Sequence, residues 1–163
     1  MSKRIRTAVI PGSFDPVTMG HLDVIERAAA MFDRVYVTAF SNADKKGSMF
    51  SSDEKLHMLC LATAHLDNVT CSIEGGLTAV FAQELDAVIV KGIRNGTDLD
   101  YEMTMYGINR AVEGVDTLFI PAKQEYMHIS STFVREMIRY EHSFEGLVPA
   151  PVYRYLTEEW NKI

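Results

Sequence analysis

Residues 7–21 read Thr7-Ala8-Val9-Ile10-Pro11-Gly12-Ser13-Phe14-Asp15-Pro16-Val17-Thr18-Met19-Gly20-His21. The apolar run 7–10 has the length of a buried strand, and Leu22, Ile25, Ala29 and Phe32 recur behind it at helical spacing. Residues 11–21 therefore form a strand-to-helix loop, with Gly12 and Gly20 near its ends. Glycine permits a sharp turn or the close approach of a ligand. The helix start presents unpaired N–H groups and a partial positive charge, which suit an anion. His21 sits at that start and can donate to the same anion, for which phosphate is the best fit. The same residues also fit a plain turn with a structural histidine. The loop is not a P-loop, since no Gly-Lys-Ser/Thr follows, nor does it read Gly-x-Gly-x-x-Gly.

Outward from this loop, strand and helix patterns alternate. Residues 35–40, 69–73, 87–90 and 117–121 read as four further strands, and 87–90, apolar throughout, as a central one. A helix opens at Ser51, which stands at capping-box spacing from Glu54, and its inner face carries Leu56, Leu59, Cys60 and Thr63. Further helical patterns cover 77–85, 98–112 (Tyr101, Met105 and Ile108 along one face) and 131–140, and Pro151 opens a last one. The alternation predicts a single domain over 1–163. Its class is α/β, a Rossmann-like doubly wound five-stranded parallel sheet with helices on both faces. Such sheets bind ligands beyond the carboxyl ends of their strands, where strand order reverses. The loops at those ends are 11–21, 41–50, 74–77, 91–97 and 122–131.

The chain has 163 residues, 47% hydrophobic and 23% charged, ordinary for a soluble globular domain. No apolar run approaches the roughly 20 residues of a membrane span. The basic start, Met1-Ser2-Lys3-Arg4-Ile5-Arg6, lacks the apolar region of a signal peptide. Cys60 and Cys71 read as reduced core residues of a cytoplasmic protein. A net charge of −6 argues against nucleic acid and membrane surfaces as partners. A polyphosphate ligand would then need cations gathered locally, and two ligand-side loops hold them. Lys45-Lys46 lies in 41–50, where adjacent lysines are also a common solvated pair. Lys91-Gly92-Ile93-Arg94 follows strand four. In 122–131, the hydroxyls of Ser130, Ser131 and Thr132 can bind phosphate, cap the next helix, or both. Arg135, one turn on, could serve phosphate or a structural pair.

Two stretches carry a resemblance. Gly12-Ser13-Phe14-Asp15-Pro16 with Thr18-Met19-Gly20-His21 is similar to the T/H-x-G-H signature of the nucleotidyltransferase superfamily. Ile129-Ser130-Ser131-Thr132-Phe133-Val134-Arg135 is similar to its second signature, I-S-S-T-x-x-R, in the expected order. Lys45-Lys46, the Lys91 to Arg94 turn, Asp100-Tyr101-Glu102 and Asn109 narrow this to the bacterial phosphopantetheine adenylyltransferases, which the chain resembles from end to end.

The resemblance implies transfer of the adenylyl group of ATP to 4′-phosphopantetheine, giving 3′-dephospho-coenzyme A and pyrophosphate, with Mg²⁺ carried on ATP and no dedicated protein metal site. It implies His21, Lys45 and Arg94 as catalytic groups, with the choice between Lys45 and Lys46 open. It implies ATP contacts from Ser13, Phe14, His21, Gly92, Ile93, Arg94 and Glu102 and from the run Tyr126, Met127, His128, Ile129, Ser130, Ser131 and Thr132. It implies acceptor contacts from Ser13, Lys45, Leu77, Thr78, Lys91, Asn109 and Glu136, and a homohexamer. The two signatures leave open another phosphate-monoester acceptor, such as nicotinamide mononucleotide. A non-catalytic nucleotide-binding module is the alternative from another class.

Overall fold

The structure is a computed structural model that describes residues 6–40 and 47–160. Five parallel strands form one sheet: β1 (Thr7–Gly12), β2 (Arg34–Phe40), β3 (Val69–Glu74), β4 (Ala87–Ile93) and β5 (Thr117–Pro121). Their order is β3-β2-β1-β4-β5. The expected doubly wound sheet is therefore present. Its central strand is β1, with β4 an interior neighbour; Thr7 lies between Arg34 and Ala87 in register. The chain steps from β1 out to β3, then returns to the other side of β1 for β4 and β5. The crevice between the β1 and β4 carboxyl ends is the reversal point.

Alternate residues along each strand serve opposite faces. Ala8, Ile10, Val35, Val37, Val88 and Val90 belong to the larger core. That core also holds Val24, Ile25 and Ala28 of α1 (Met19–Met31) and Met58, Leu59 and Ala62 of α2 (Ser52–Thr63). Val134 of α5 (Ser131–Arg139) and Val152 of α6 (Ala150–Arg154) complete it. On the other face Val9 and Ile89 pack with Ala82 of α3 (Thr78–Glu84) and with Val115. The long helix α4 (Gly96–Glu113) lies against α3 and β4 on that side. It ends at Gly114, whose φ of 69° is the left-handed conformation that favours glycine at a helix terminus.

Two expectations change, at Cys60 and at the end of β4, and the buried position of α4 is now fixed. Cys60 is exposed rather than in the core, because α2 buries its neighbours Met58 and Leu59 instead; Cys71 is half-buried, and both thiols are free. Helix α4 turns only Asn109 fully inward, leaving Tyr101, Met103, Ile108 and Val112 exposed. Strand β4 also runs three residues past the expected end at 90, so Lys91, Gly92 and Ile93 stand on a strand, not in a loop.

Gly92 sets how closely α1 approaches the sheet. A Cβ there would lie 2.8 Å from Cγ2 of Val24, a side chain of the core. Gly92→Ala should therefore lower stability by about 1–3 kcal/mol through overpacking. Urea unfolding checks this, and an unchanged midpoint would show that Val24 yields freely.

Candidate active site

Thr18 caps α1 from an extended backbone conformation, and His21 closes a reciprocal pair with it. The His21 N–H donates to Thr18 Oγ1 at 3.3 Å, and the Thr18 N–H donates to His21 Nδ1 at 3.0 Å. Glutamate or glutamine normally fills this position in a capping box; here an imidazole does. The consequence is chemical. A backbone N–H can only donate, so Nδ1 is the acceptor and the ring proton sits on Nε2. Burial, then the positive charges of Lys91 and Arg94, depress the His21 pKa from 6.5 to about 4. His21 is therefore a neutral donor at pH 7.

The loop before α1 is shaped by Phe14. Its buried ring meets His21 edge-on at 5.0 Å. Its φ of 45° lies in the left-handed region, costly for a bulky residue. Gly12 makes room for that ring, since a Cβ would lie 2.9 Å from two of its atoms. Gly20 differs. A Cβ there would make only ordinary contacts, the nearest at 3.6 Å to Thr18 Oγ1. Among the described residues, no neighbour demands glycine at this point on the cleft wall.

Asp15 binds this loop to two other segments. Its buried carboxylate accepts from Met49 N, Phe50 N and Ser48 Oγ, each at 3.0 Å. Lys55 Nζ stands 3.9 Å away. Arg135 reaches the same residue, donating to the Asp15 carbonyl at 2.6 Å and pairing with the carboxylate at 3.6 Å. Ser131 Oγ donates to the Pro16 carbonyl at 2.7 Å. The two signature stretches, more than 100 residues apart, are thus joined directly. Of the two roles open to Arg135, the structure shows the structural pair. Ser130 caps α5, accepting from Phe133 N at 3.1 Å.

On the opposite wall, Lys91 Nζ lies 3.1 Å from Glu102 Oε1. Arg94 grips Asp98 through Nε at 2.9 Å and Nη2 at 3.1 Å, and donates through Nη1 to the Ile129 carbonyl at 3.1 Å. Those hydrogen bonds hold the Asp98 carboxyl below its ordinary pKa. Three of the five guanidinium N–H groups are thereby used within the protein. Arg94 also ties the β4–α4 turn to the Ile129 loop.

These walls enclose a cleft of about 550 Å³ at the β1/β4 reversal point. Of the expected site residues, Ser13, Phe14, His21, Thr78, Lys91, Gly92, Arg94, Glu102, Asn109, Ile129, Ser130, Ser131 and Thr132 line it. Leu77, Ile93, Tyr126, Met127, His128 and Glu136 stand outside the lining. Lys45 and Lys46 lie outside the described residues, as does the basic start of the chain. Thr18 and Asp15 stood in the first signature without an assigned role, and Asp98 was only the start of a helical pattern. Thr18 was discernible, standing three residues before His21 at capping-box spacing. Asp98 was discernible at i+4 from Arg94.

The cytidylyltransferase-like family model matches residues 9–137, a span running from β1 into α5. A phosphopantetheine adenylyltransferase of Symbiobacterium thermophilum is 45% identical over 157 residues, covering 95% of this chain and 96% of the relative. The chain belongs to this family of nucleotidyltransferases. In this nucleotidyltransferase the matched span contains both halves of the cleft, including His21, Lys91, Arg94 and the Ser130 helix start.

The His21 tautomer is directly measurable. Its ¹⁵N ring shifts should report a neutral, Nε2-protonated imidazole from pH 8 down to about 5. With a folded pKa of about 4 against an ordinary 6.5, the group costs the fold nothing above pH 6.5, and stability declines as pH falls from 6.5 to 4. A ring titrating near 6.5 would contradict the capping geometry.

Proposed function

We propose that the chain transfers the adenylyl group of ATP to 4′-phosphopantetheine, giving 3′-dephospho-coenzyme A and pyrophosphate. The observation that carries this reading is His21. A neutral imidazole fixed as an Nε2–H donor, beside two cations, suits a phosphorus centre on which negative charge builds. An acceptor phosphate oxygen attacks the α-phosphorus of ATP, and the bond to the departing pyrophosphate breaks. The acceptor is already anionic, so no general base is required. Ser130 and Ser131 are engaged in capping and in the bond to Pro16, which fits direct transfer without a covalent intermediate. Positioning and charge stabilisation then carry the reaction.

In this reading Lys91 holds the acceptor phosphate, and Arg94, with the Ser13 loop and the α5 start, holds the phosphates of ATP. Lys45 follows the transferred group. Thr78 and the buried Asn109 border the pantetheine arm. Mg²⁺ enters on ATP. Asp98 and Glu102, the carboxylates of the cleft wall, are held by Arg94 and Lys91, and no cluster of three metal-ligating side chains occurs among the described residues. The exposed apolar side chains of α4, with Leu118 on edge strand β5, support a homo-oligomer, a hexamer by the family resemblance. Two free thiols fit the cytoplasm, and no helix among the described residues is long and apolar enough to cross a membrane.

Purified protein with ATP and Mg²⁺ should release pyrophosphate on addition of 4′-phosphopantetheine, and little with nicotinamide mononucleotide. Equal turnover of the two would reassign the acceptor; no pyrophosphate with any acceptor, despite ATP binding, would point to an inert binding module. His21→Ala should lower single-turnover rate by roughly 10²–10³-fold while ATP affinity, measured by calorimetry, changes little. An unchanged rate would remove His21 from the chemistry.

A further inference from the structure

We propose that Glu102 is a specificity-determining residue that masks Lys91 until the nucleotide is in place, so that acceptor and ATP bind with positive coupling. This rests on the acceptor reading above and names how the same site controls it. Lys91 Nζ and Glu102 Oε1 are 3.1 Å apart, with side chains only 22% and 13% exposed. A pair this withdrawn from water is weakly screened. Lys91 stands on β4 and Glu102 on α4, and both line the cleft. Among the described residues, Lys91 is the ionic partner of Glu102.

A phosphate dianion arriving alone meets a neutralised lysine and a carboxylate of its own sign. It must displace Glu102, and a half-buried carboxylate left without a donor is costly. A ligand that brings hydroxyl donors changes this balance. The sugar hydroxyls of ATP are donors of that kind. Once they take up the Glu102 carboxylate, Lys91 is released to the second phosphate ligand. The lysine thus gains its full charge when both substrates share the cleft, and a stray phosphate is disfavoured. Coupling of this kind is reciprocal in binding affinity.

Arg94 is held differently. Asp98 takes both a main-chain and two side-chain donors from it, while Ile129 takes another. That arrangement builds the β4–α4 turn, whereas the Lys91–Glu102 contact is a single ion pair that can open without disturbing the backbone.

The test is calorimetric titration of the full-length protein with 4′-phosphopantetheine, alone and with a non-hydrolysable ATP analogue. Glu102→Gln preserves shape and removes the charge, and a thermal melt checks its fold. The variant should bind 4′-phosphopantetheine alone about tenfold more tightly than the wild type, and the analogue should no longer improve that affinity. Lys91→Met should bind it more weakly, and pantetheine without its phosphate should not distinguish Glu102→Gln from wild type. Glu102→Ala should tighten phosphopantetheine binding in the same direction as Glu102→Gln. Equal or weaker binding by a folded Glu102→Gln protein would overturn the proposal, because a purely structural pair predicts that loss. Absence of phosphopantetheine binding by the wild type both alone and with the analogue would overturn the acceptor reading together with it.

Discussion

The Asp15 carboxylate is the constraint on which the site depends. It is buried in the loop after the central strand, where a charge must find partners or be expelled. It finds them in the backbone of 49–50, in Ser48, and in the cations Lys55 and Arg135. Those partners come from the segment that enters α2 and from α5. One residue therefore gathers three stretches of chain around the end of β1. Without it residues 48–50 would lose their hydrogen bonds to the first loop, while α5 would keep the Ser131 bond to the Pro16 carbonyl and the Arg135 bond to the Asp15 carbonyl.

Chemistry follows from how the remaining polar groups are shared. His21 gives its Nδ1 to the Thr18 backbone and so retains a proton on Nε2. Burial and two neighbouring cations keep the ring neutral. The cations in turn are balanced by Asp98 and Glu102, so a chain with a net charge of −6 gathers cations in this cleft only as ion pairs among the described residues. Charge is concentrated locally, but in paired form, so the proposed ligands would have to enter by exchanging partners.

Much of this was legible before any coordinates. All five strands and the glycine-rich loop followed from hydrophobic runs and breakers, because buried parallel strands admit little else. The signature residues His21, Lys91 and Arg94 fell on the ligand-side ends of strands for the same reason. What escaped was of three kinds. Contacts such as Asp15 to Phe50 or Arg135 to Asp15 join residues 35 and 120 apart, and no local pattern encodes them. Strand β4 runs on through Gly92 because the sheet continues there, with β5 alongside Lys91 to Ile93, a tertiary effect. The inner face of α2 was misjudged at Cys60, since helical spacing places Cys60 beside Leu59 but does not say where the buried arc ends.

Amide hydrogen exchange at Met49 and Phe50 tests the role of Asp15 most directly. In the wild-type protein both N–H groups should exchange slowly, as donors to a buried carboxylate do. In Asp15→Ala they should exchange at least tenfold faster, while amides of the central strand, such as those of Val9 and Ile10, stay protected. Equal protection of Met49 and Phe50 in the two proteins would contradict the account, because the loops would then be held around the site by something other than Asp15.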